Sequence, residues 1–405
     1  MDNKVTNKAA DNIRALSIAM VENAKSGHPG GAMGGADFIN ILFTEYMNFD
    51  PDNPEWFSSL KTLTWENYKK VEEKLRPISG VFFRKKESRV YPYKEITSHL
   101  TGYIGEISKE EIESAAEIDY KAGESIGKSG LEKKYEKKLR GENGYILFLQ
   151  DENKNKKELM RKDPIDGEDL ITTIDIELQN KVWKSLDNKK GAVVITAPKS
   201  GEILAMVSSP SYDPNQFVLG ISQREWQKLM ENKNSPMLNR AIQGLYPPGS
   251  TFKIITAAAA LDIGLVEKDT IFNDTGEIKV EGNIVRNYQN EIFGEHTFTE
   301  ALTHSINTTF AKVAIKISRE KFIEYADKLD FEKKIEPGLN VKESSLGSIK
   351  GEVDLAWTGL GQAKVLTNSI QMSRIIAIVA NDGINIQPTL IKNDMIKNEL
   401  KQVIQ

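Results

Sequence analysis

A serine and a lysine stand three residues apart in the stretch Pro247-Pro248-Gly249-Ser250-Thr251-Phe252-Lys253. The two prolines favour an extended approach, Gly249 permits a tight turn, and the apolar residues that follow recur at helical spacing. Ser250 is therefore predicted at a helix start, with the Lys253 amine within reach of its hydroxyl on the same helical face. A hydroxyl becomes a strong nucleophile when a base removes its proton, and a desolvated lysine amine can be that base. The spacing predicts a serine nucleophile with a lysine base.

The S-x-x-K spacing alone has little specificity, because it occurs four times in the chain. The other copies are Ser58 to Lys61, Ser125 to Lys128 and Ser318 to Lys321. They lie in charged or glycine-rich sequence, whereas Ser250 follows Pro-Pro-Gly and precedes an apolar helix. Taken alone, the motif also fits a serine N-cap followed by a solvated lysine.

A second polar group, Ser305-Ile306-Asn307, follows 55 residues after Ser250, in an apolar segment between Thr303 and Phe310. A hydroxyl and an amide two residues apart can line a cleft beside the lysine, where they pass a proton to a leaving amine and hold a substrate amide. The triplet alone also suits packing or helix capping. Together with the upstream S-x-x-K it follows the pattern of penicillin-interacting serine enzymes.

Composition excludes several classes of function. The chain has 405 residues, a formal net charge of -4 and no cysteine, so disulfides and thiolate metal sites are excluded and a nucleic-acid partner is not indicated. Its four histidines have no metal-ligand spacing, so neither a metal nor another cofactor is predicted. They are His28, His99, His296 and His304. The apolar runs are shorter than the ~20 residues of a membrane span, and no signal peptide is recognised.

The amino-acid composition and the predicted secondary structure change along the chain. Residues 1–57 predict helices over Ala9 to Ala24 and Gly35 to Met47 around a glycine-rich loop at His28. Residues 58–165 are rich in lysine and glutamate with short β-prone pieces at residues 81–83 and 145–148, which indicates an elongated α+β module. From residue 166 a predicted hairpin, residues 191–197 and 202–207, precedes helices near residues 299–316 and 370–380. Strands followed by helices predict an α+β domain with an antiparallel sheet.

Residues 58–405 resemble the class B penicillin-binding proteins, most closely the elongation-type penicillin-binding protein 2 group. Ordered motifs besides Ser250-x-x-Lys253 and Ser305-x-Asn307 carry this resemblance. They are residues 89–93 (RVYPY), 99–105 (HLTGYIG), 126–132 (IGKSGLE), 172–175 (TTID), 210–215 (PSYDPN), 239–244 (NRAIQG), 359–362 (GLGQ) and 371–372 (QM).

The resemblance implies a dimerisation or pedestal domain at residues 58–165 and a penicillin-binding transpeptidase domain, serine β-lactamase-like in fold, at residues 166–405. The implied reaction is peptidoglycan cross-linking, in which Ser250 forms an acyl-enzyme with a D-Ala-D-Ala stem peptide. Lys253 would be the base, Ser305 the proton relay and Asn307 the partner of the substrate backbone. The implied partners are stem peptides, β-lactams and membrane proteins of the elongation machinery, at the extracytoplasmic (periplasmic) face of the cell membrane.

Two departures from that family pattern accompany the resemblance. The third family motif, K-[ST]-G, does not follow Ser305 before Gln405, so the transpeptidase domain is expected to be incomplete at its C-terminus and its activity impaired. Residues 1–57 instead resemble the N-terminus of transketolase, through residues 13–16 (IRAL), 26–30 (SGHPG) and 53–56 (NPEW). The two resemblances together indicate a joined polypeptide.

Other functions stay open at this point. The main alternative is a non-catalytic penicillin-binding or cell-wall scaffold fragment that uses the pedestal to contact partners. A transketolase fragment is a weaker alternative, because the diphosphate and magnesium motif is absent. A serine β-lactamase or a D,D-carboxypeptidase is a further one, against which the pedestal motifs argue.

Overall fold

The described part of this computed structural model comprises residues 63–77, 81, 83, 88–114, 120–121, 123–151, 155–392 and 401–404. The chain divides into two compact units, residues 1–68 and 69–405, and all elements from residue 88 onward belong to the second. The helices expected before residue 57, the loop at His28 and the first S-x-x-K copy lie outside the described residues, as does Phe82. The expected domain boundaries at residues 57 and 165 stay predictions.

Helices and short strands alternate along the described chain. The helices are α1 Trp65–Leu75, α2 Ser98–Thr101, α3 Lys109–Ser114, α4 Gly130–Lys134, α5 Glu136–Leu139, α6 Ile176–Leu186, α7 Asn215–Val218, α8 Gln223–Met230, α9 Lys253–Asp262, α10 Phe298–Thr303, α11 Asn307–Ile317, α12 Arg319–Lys328, α13 Glu352–Gly359 and α14 Ser369–Ala380. The strands are β1 Ile104–Glu106, β2 Ser125–Gly127, β3 Tyr145–Gln150, β4 Lys156–Lys162, β5 Gly191–Thr196, β6 Ile203–Ser209, β7 Ile271–Asp274, β8 Glu277–Val280, β9 Asn283–Arg286, β10 Gly294–Thr297, β11 Ile384–Asn385 and β12 Lys401–Gln402. Tight 3-10 turns occupy Lys94–Ile96, Gly249–Phe252 and Tyr288–Asn290.

The hairpin of β5 and β6 is the sheet that the sequence predicts. The two strands pair antiparallel from Gly191 opposite Ser209 to Thr196 opposite Ile203. Helix α6 packs on one side, where Val182 meets Ala205 and Val207. Asp175 starts this helix, because its carboxylate accepts the backbone N–H groups of Glu177 and Leu178. The expected hairpin, the antiparallel pairing and the mixed α+β class are confirmed.

A second, helical core surrounds α11. Most of this helix is buried, with Phe310, Val313 and Ala314 fully buried in the core that α9 and α13 also form, while Lys316 faces solvent. The contact with α13 is so close that a Cβ on Gly359 would lie 2.4 Å from the Ala314 Cβ. A helix surrounded by apolar neighbours in this way has little freedom to shift. Its first turn is therefore a fixed platform for polar side chains.

The single helix expected near residues 299–316 is wrong in one respect, because it is two helices. Thr297 and Glu300 form a capping box that starts α10, and α10 ends at Thr303. Ser305 then has a φ of +57°, a left-handed conformation that the helix cannot continue through. Helix α11 restarts at Asn307. The break turns Ser305 out of the helical register, which a periodicity argument does not reveal.

The segment that precedes β1 is held tightly to the loop after β6. The Asn215 side chain accepts the Tyr91 N–H and donates to the Tyr91 carbonyl, both at 2.9 Å. Asn239 donates to the His99 carbonyl at 2.8 Å, and Gln179 donates to the Ile96 carbonyl at 2.9 Å. These contacts join four of the sequence motifs, those at residues 89–93, 99–105, 210–215 and 239–244. Residues 91–99 and the start of the transpeptidase-like region therefore fold as one body.

The turn that carries Ser250 rests on the loop after α13. The Gly249 N–H donates to the Gly361 carbonyl at 2.8 Å. Gly361 has a φ of +73°, and a Cβ there would lie 2.1 Å from the Gly249 carbonyl oxygen. Below the turn, the Phe252 ring packs edge-on against Phe331 with centroids 5.3 Å apart. Gly361 thus lets two backbones approach where no side chain fits.

Replacing Gly361 by alanine is expected to destabilise the protein and displace the Ser250 turn. The matched control is Gly282→Ala, because Gly282 has a φ of +83° and open space around its Cβ direction. Both variants carry the left-handed strain of roughly 1–2 kcal/mol, and Gly361→Ala adds a backbone collision. Urea unfolding of both variants measures the difference. Equal losses of unfolding free energy in the two variants would contradict this packing account.

Candidate active site

Ser250 is an exposed residue of the Gly249–Phe252 turn, which leads directly into α9. Its hydroxyl and its backbone N–H make no hydrogen bond to the residues that the structure describes. A serine that is exposed, with its own N–H available, can meet a carbonyl group from solvent. The same N–H can then donate to the oxyanion that forms when the hydroxyl attacks.

Lys253 is the first residue of α9 and is only 1% exposed. Its ammonium donates to three oxygens: the Ser305 carbonyl at 2.6 Å, the Ser305 hydroxyl at 2.9 Å and the Asn307 Oδ1 at 2.7 Å. The Phe310 ring lies beside it, with its centroid 5.6 Å from Nζ. Burial lowers the pKa of Lys253 to about 8, because a charged amine loses its hydration there. The neutral amine is therefore accessible near neutral pH.

Ser305 meets Lys253 with both its carbonyl and its hydroxyl because of the left-handed turn between α10 and α11. The Ser305 hydroxyl accepts from Lys253, and its own proton has no acceptor among the described residues. A hydroxyl that accepts from a lysine and has a free proton to donate can pass a proton from one group to the next.

Asn307 begins α11, and its amide has a defined orientation. Its Nδ2 donates to the Arg286 carbonyl at 2.9 Å, which leaves Oδ1 facing Lys253. Because a backbone carbonyl only accepts, this contact sets the direction of the amide. Asn307 thus connects the β9 end to the lysine.

The structure brings together three of the four predicted site residues by hydrogen bonds: Lys253, Ser305 and Asn307. The fourth, Ser250, is one turn away from Lys253, and the amine uses its three donors on the other two residues. Three donors with three acceptors suit the ammonium form. Once the amine loses a proton it has two donors and a lone pair, which is the form that can take the Ser250 proton.

The competing motifs do not form such a cluster. Lys128 forms an ion pair with Glu111. Lys199-Ser200-Gly201 has the letters of the third family motif but precedes Ser250, and its Ser200 donates to Glu202 in the β5–β6 turn. His304 is exposed beside Phe293, whereas His296 is buried and bonded to Thr309. No group of three or more His, Cys, Asp or Glu side chains suited to a metal ion occurs within the described ranges.

Sequence reasoning missed Asp274, which lies at the end of β7 and contacts the first turn of α11 through Thr308. Its sequence signal is weak: Asn273-Asp274-Thr275-Gly276 is a turn sequence of ordinary kind. Its partners, Asn287 and Thr308, are 13 and 34 residues away. Contacts over such separations leave no local pattern.

No helix in the part of the chain that the structure describes is both long and apolar enough to cross a membrane.

Comparison with known proteins gives three family-model matches. The penicillin binding protein transpeptidase domain matches residues 191–404, more than half of the chain. The penicillin-binding protein dimerisation domain matches residues 40–172. The transketolase thiamine diphosphate binding domain matches residues 5–61. The order of these three matches along the chain is the same as the order of the sequence motifs that resemble each family.

Individual relatives agree with the first two models. Peptidoglycan D,D-transpeptidase MrdA of Escherichia coli is 32% identical over 332 residues, which are 77% of this chain and 52% of MrdA. The chain spans about half the length of the curated relatives it matches.

Two solved structures share the fold. In the complex of penicillin-binding protein 2 with MreC from Helicobacter pylori, the similar chain is 27% identical, with a TM-score of 0.75 over 85% of this chain and 65% of that one. The ceftriaxone acyl-enzyme of Mycobacterium tuberculosis penicillin-binding protein A is 28% identical, with a TM-score of 0.63 over 78% of this chain and 72% of that one. With the fold and these matches together, the chain belongs to the penicillin-binding protein transpeptidase family, and its relatives are the class B enzymes of the penicillin-binding protein 2 group.

Proposed function

We propose that this chain is a peptidoglycan D,D-transpeptidase that uses Ser250 as its nucleophile. The observation that carries the proposal is the buried Lys253 amine, with its lowered pKa, one turn from an exposed serine and bonded to Ser305 and Asn307. A cluster of this kind activates a hydroxyl without a histidine. The MrdA relative bears the name of this activity.

The first half-reaction forms an acyl-enzyme. Neutral Lys253 takes the proton of the Ser250 hydroxyl, and Ser250 Oγ attacks the carbonyl carbon between the two D-alanines. The Ser250 N–H donates to the oxyanion. As the C–N bond breaks, the Ser305 hydroxyl gives a proton to the leaving D-alanine nitrogen and recovers one from the Lys253 ammonium. D-Alanine departs, the acyl group stays on Ser250, and Lys253 is neutral again.

The second half-reaction transfers the acyl group to an amine of a neighbouring stem peptide. The amine attacks the ester carbon, its proton passes through Ser305 to Lys253, and the protonated lysine returns a proton to Ser250 as the ester bond breaks. The Asn307 amide, whose Nδ2 and Oδ1 face Arg286 and Lys253, orders the cluster and borders the substrate backbone. The products are a new amide cross-link and free Ser250.

β-Lactams are proposed as inhibitors that acylate the same serine. Their strained amide presents a carbonyl to Ser250, and the ring nitrogen takes the place of the leaving D-alanine nitrogen. The related penicillin-binding protein A forms such an acyl-enzyme with ceftriaxone. Action at the extracytoplasmic face of the membrane, with membrane proteins of the elongation machinery as partners, is the corresponding proposal for location. The related Helicobacter pylori protein in complex with MreC supports it.

Covalent labelling by a fluorescent penicillin tests the proposed nucleophile. The folded wild-type chain is expected to take up one label, and Ser250→Ala is expected to take up none, because the exposed hydroxyl one turn from Lys253 is removed. Ser125→Ala is the matched control, since Ser125 belongs to another exposed S-x-x-K copy and should label as the wild type does. Gel fluorescence and the mass of the labelled peptide measure the outcome. Absence of label on folded wild-type protein would favour the scaffold alternative, and label on Ser250→Ala would reject this serine.

Replacing Ser305 separates its hydroxyl from its backbone. Ser305→Gly keeps the carbonyl that faces Lys253 and adopts the φ of +57° without strain. Loss of the relay hydroxyl should lower the acylation rate by ~10²–10⁴-fold with little change in stability. Ser305→Ala should lose the same rate without added backbone strain, because serine and alanine carry the same Cβ at this φ. Stopped-flow acylation and urea unfolding measure the two effects. Wild-type rates in Ser305→Gly would rule out the relay.

A further inference from the structure

Asp274 is a buried carboxylate that no step of the proposed reaction uses. It is 1% exposed and accepts four hydrogen bonds. They come from Gly276 N at 3.0 Å, Asn287 Nδ2 at 2.7 Å, Phe293 N at 2.9 Å and Thr308 Oγ1 at 2.6 Å. Burial opposes ionisation, but these donors outweigh it and hold the pKa of Asp274 below its ordinary value. A buried carboxylate that accepts four hydrogen bonds therefore lies against the first turn of α11, next to Asn307.

This charge lies at the N-terminus of α11, which lacks a cap of its own. Ile306, the residue before the helix, has no side-chain oxygen to accept the first N–H groups. The Asn287 Oδ1 accepts the Thr308 N–H instead, at 3.1 Å, while Asp274 accepts the Thr308 hydroxyl. Open N–H groups and the helix dipole favour an anion at this end. Asn287 thus caps the helix from outside it, and Asp274 holds both Asn287 and the Thr308 side chain.

The two side chains that Asp274 binds, Asn287 and Thr308, are each adjacent in sequence to a residue that orients the site. Asn287 follows Arg286, whose carbonyl accepts the Asn307 amide, and Thr308 follows Asn307. Residues 286–287 and 307–308 are therefore joined by two parallel contacts, the second being Thr308 N–H to Asn287. Asp274 binds both Asn287 and Thr308. A shift of residues 286–287 or of residues 307–308 would move the Asn307 amide away from Lys253.

We propose that Asp274 is a positioning residue for the reaction: through Asn287 and Thr308 it holds the Asn307 amide with Oδ1 on the Lys253 amine. The inference deepens the proposed acylation and rests on it. Asp274 itself touches neither substrate nor the reacting atoms. Asp274 affects the reaction indirectly, by setting the position and the protonation state of the Lys253 amine.

The test uses three variants of neighbouring threonines in α11. Thr308→Val removes the hydroxyl that Asp274 accepts, whereas Thr308→Ser keeps it. Thr309→Val is the matched control, because Thr309 is equally buried in the same turn and its hydroxyl bonds His296 instead of Asp274. Each full-length variant is labelled with a fluorescent penicillin across a pH series, and its thermal unfolding is recorded.

Thr308→Val is expected to lower the limiting acylation rate by ~10–100-fold, the cost of a misplaced group near the chemistry. It should also move the pH at which the rate levels off below the wild-type value, since an ammonium that loses an acceptor gives up its proton more readily. Thr308→Ser should restore both quantities. Thr309→Val should keep the wild-type rate and pH profile, even where its unfolding temperature falls.

Asp274→Asn gives a second measurement, because its amide nitrogen would face N–H donors in either orientation: those of Asn287 and Phe293 in one, and that of Gly276 in the other. If Asp274→Asn folds, it should show the same lower acylation rate and shifted pH profile as Thr308→Val. If it does not fold, the comparison of Thr308→Val with Thr308→Ser tests the proposal. Equal labelling and equal pH profiles in Thr308→Val and Thr309→Val would overturn the role of Asp274. Failure of the wild type to label would instead overturn the proposed function, so the two failures are distinct.

Discussion

A buried lysine amine held by three oxygens is the interaction on which the rest of the site depends. An isolated ammonium in an apolar setting is costly, and it persists only where acceptors replace its water. Two of the three acceptors of Lys253 belong to Ser305 and the third to Asn307, so one short segment supplies them all. The compensation is incomplete, since burial still lowers the pKa of Lys253 to about 8. That balance gives an amine that both holds and releases a proton near neutral pH.

The fold positions Lys253 and its acceptors through the break between α10 and α11 and through the packing around α11 and the serine turn. The left-handed Ser305 separates α10 from α11 and directs its carbonyl at Lys253. Helix α11 cannot drift, because Phe310 and Ala314 are packed on all sides and Gly359 lets α13 approach closely. On the opposite side, the Gly249 and Gly361 backbones meet and hold the serine turn. The nucleophile is thereby exposed while its base stays buried.

Much of this was predictable from local sequence, and the remainder depends on distant contacts. Pro-Pro-Gly before Ser250 and the Ser305-x-Asn307 triplet pointed to the site, and the two β-prone stretches at residues 191–197 and 202–207 pointed to the β5–β6 hairpin. The break at Ser305 was missed because apolar spacing continues through it. Asp274 was missed because its partners are far along the chain and its own turn sequence is common. The family resemblance, rather than the spacing of residues, supplied the roles of the individual side chains.

The most direct test of the account is the pKa of Lys253 in the folded protein. Lysine labelled with 13C at Cε can be followed by NMR through a pH titration, and Lys253→Arg identifies the resonance by its disappearance. A buried amine that serves as the base is expected to titrate with a pKa of about 8 at Lys253. A midpoint near the ordinary lysine value of about 10.4 would contradict it, because the amine would then stay charged at neutral pH and could not serve as the base.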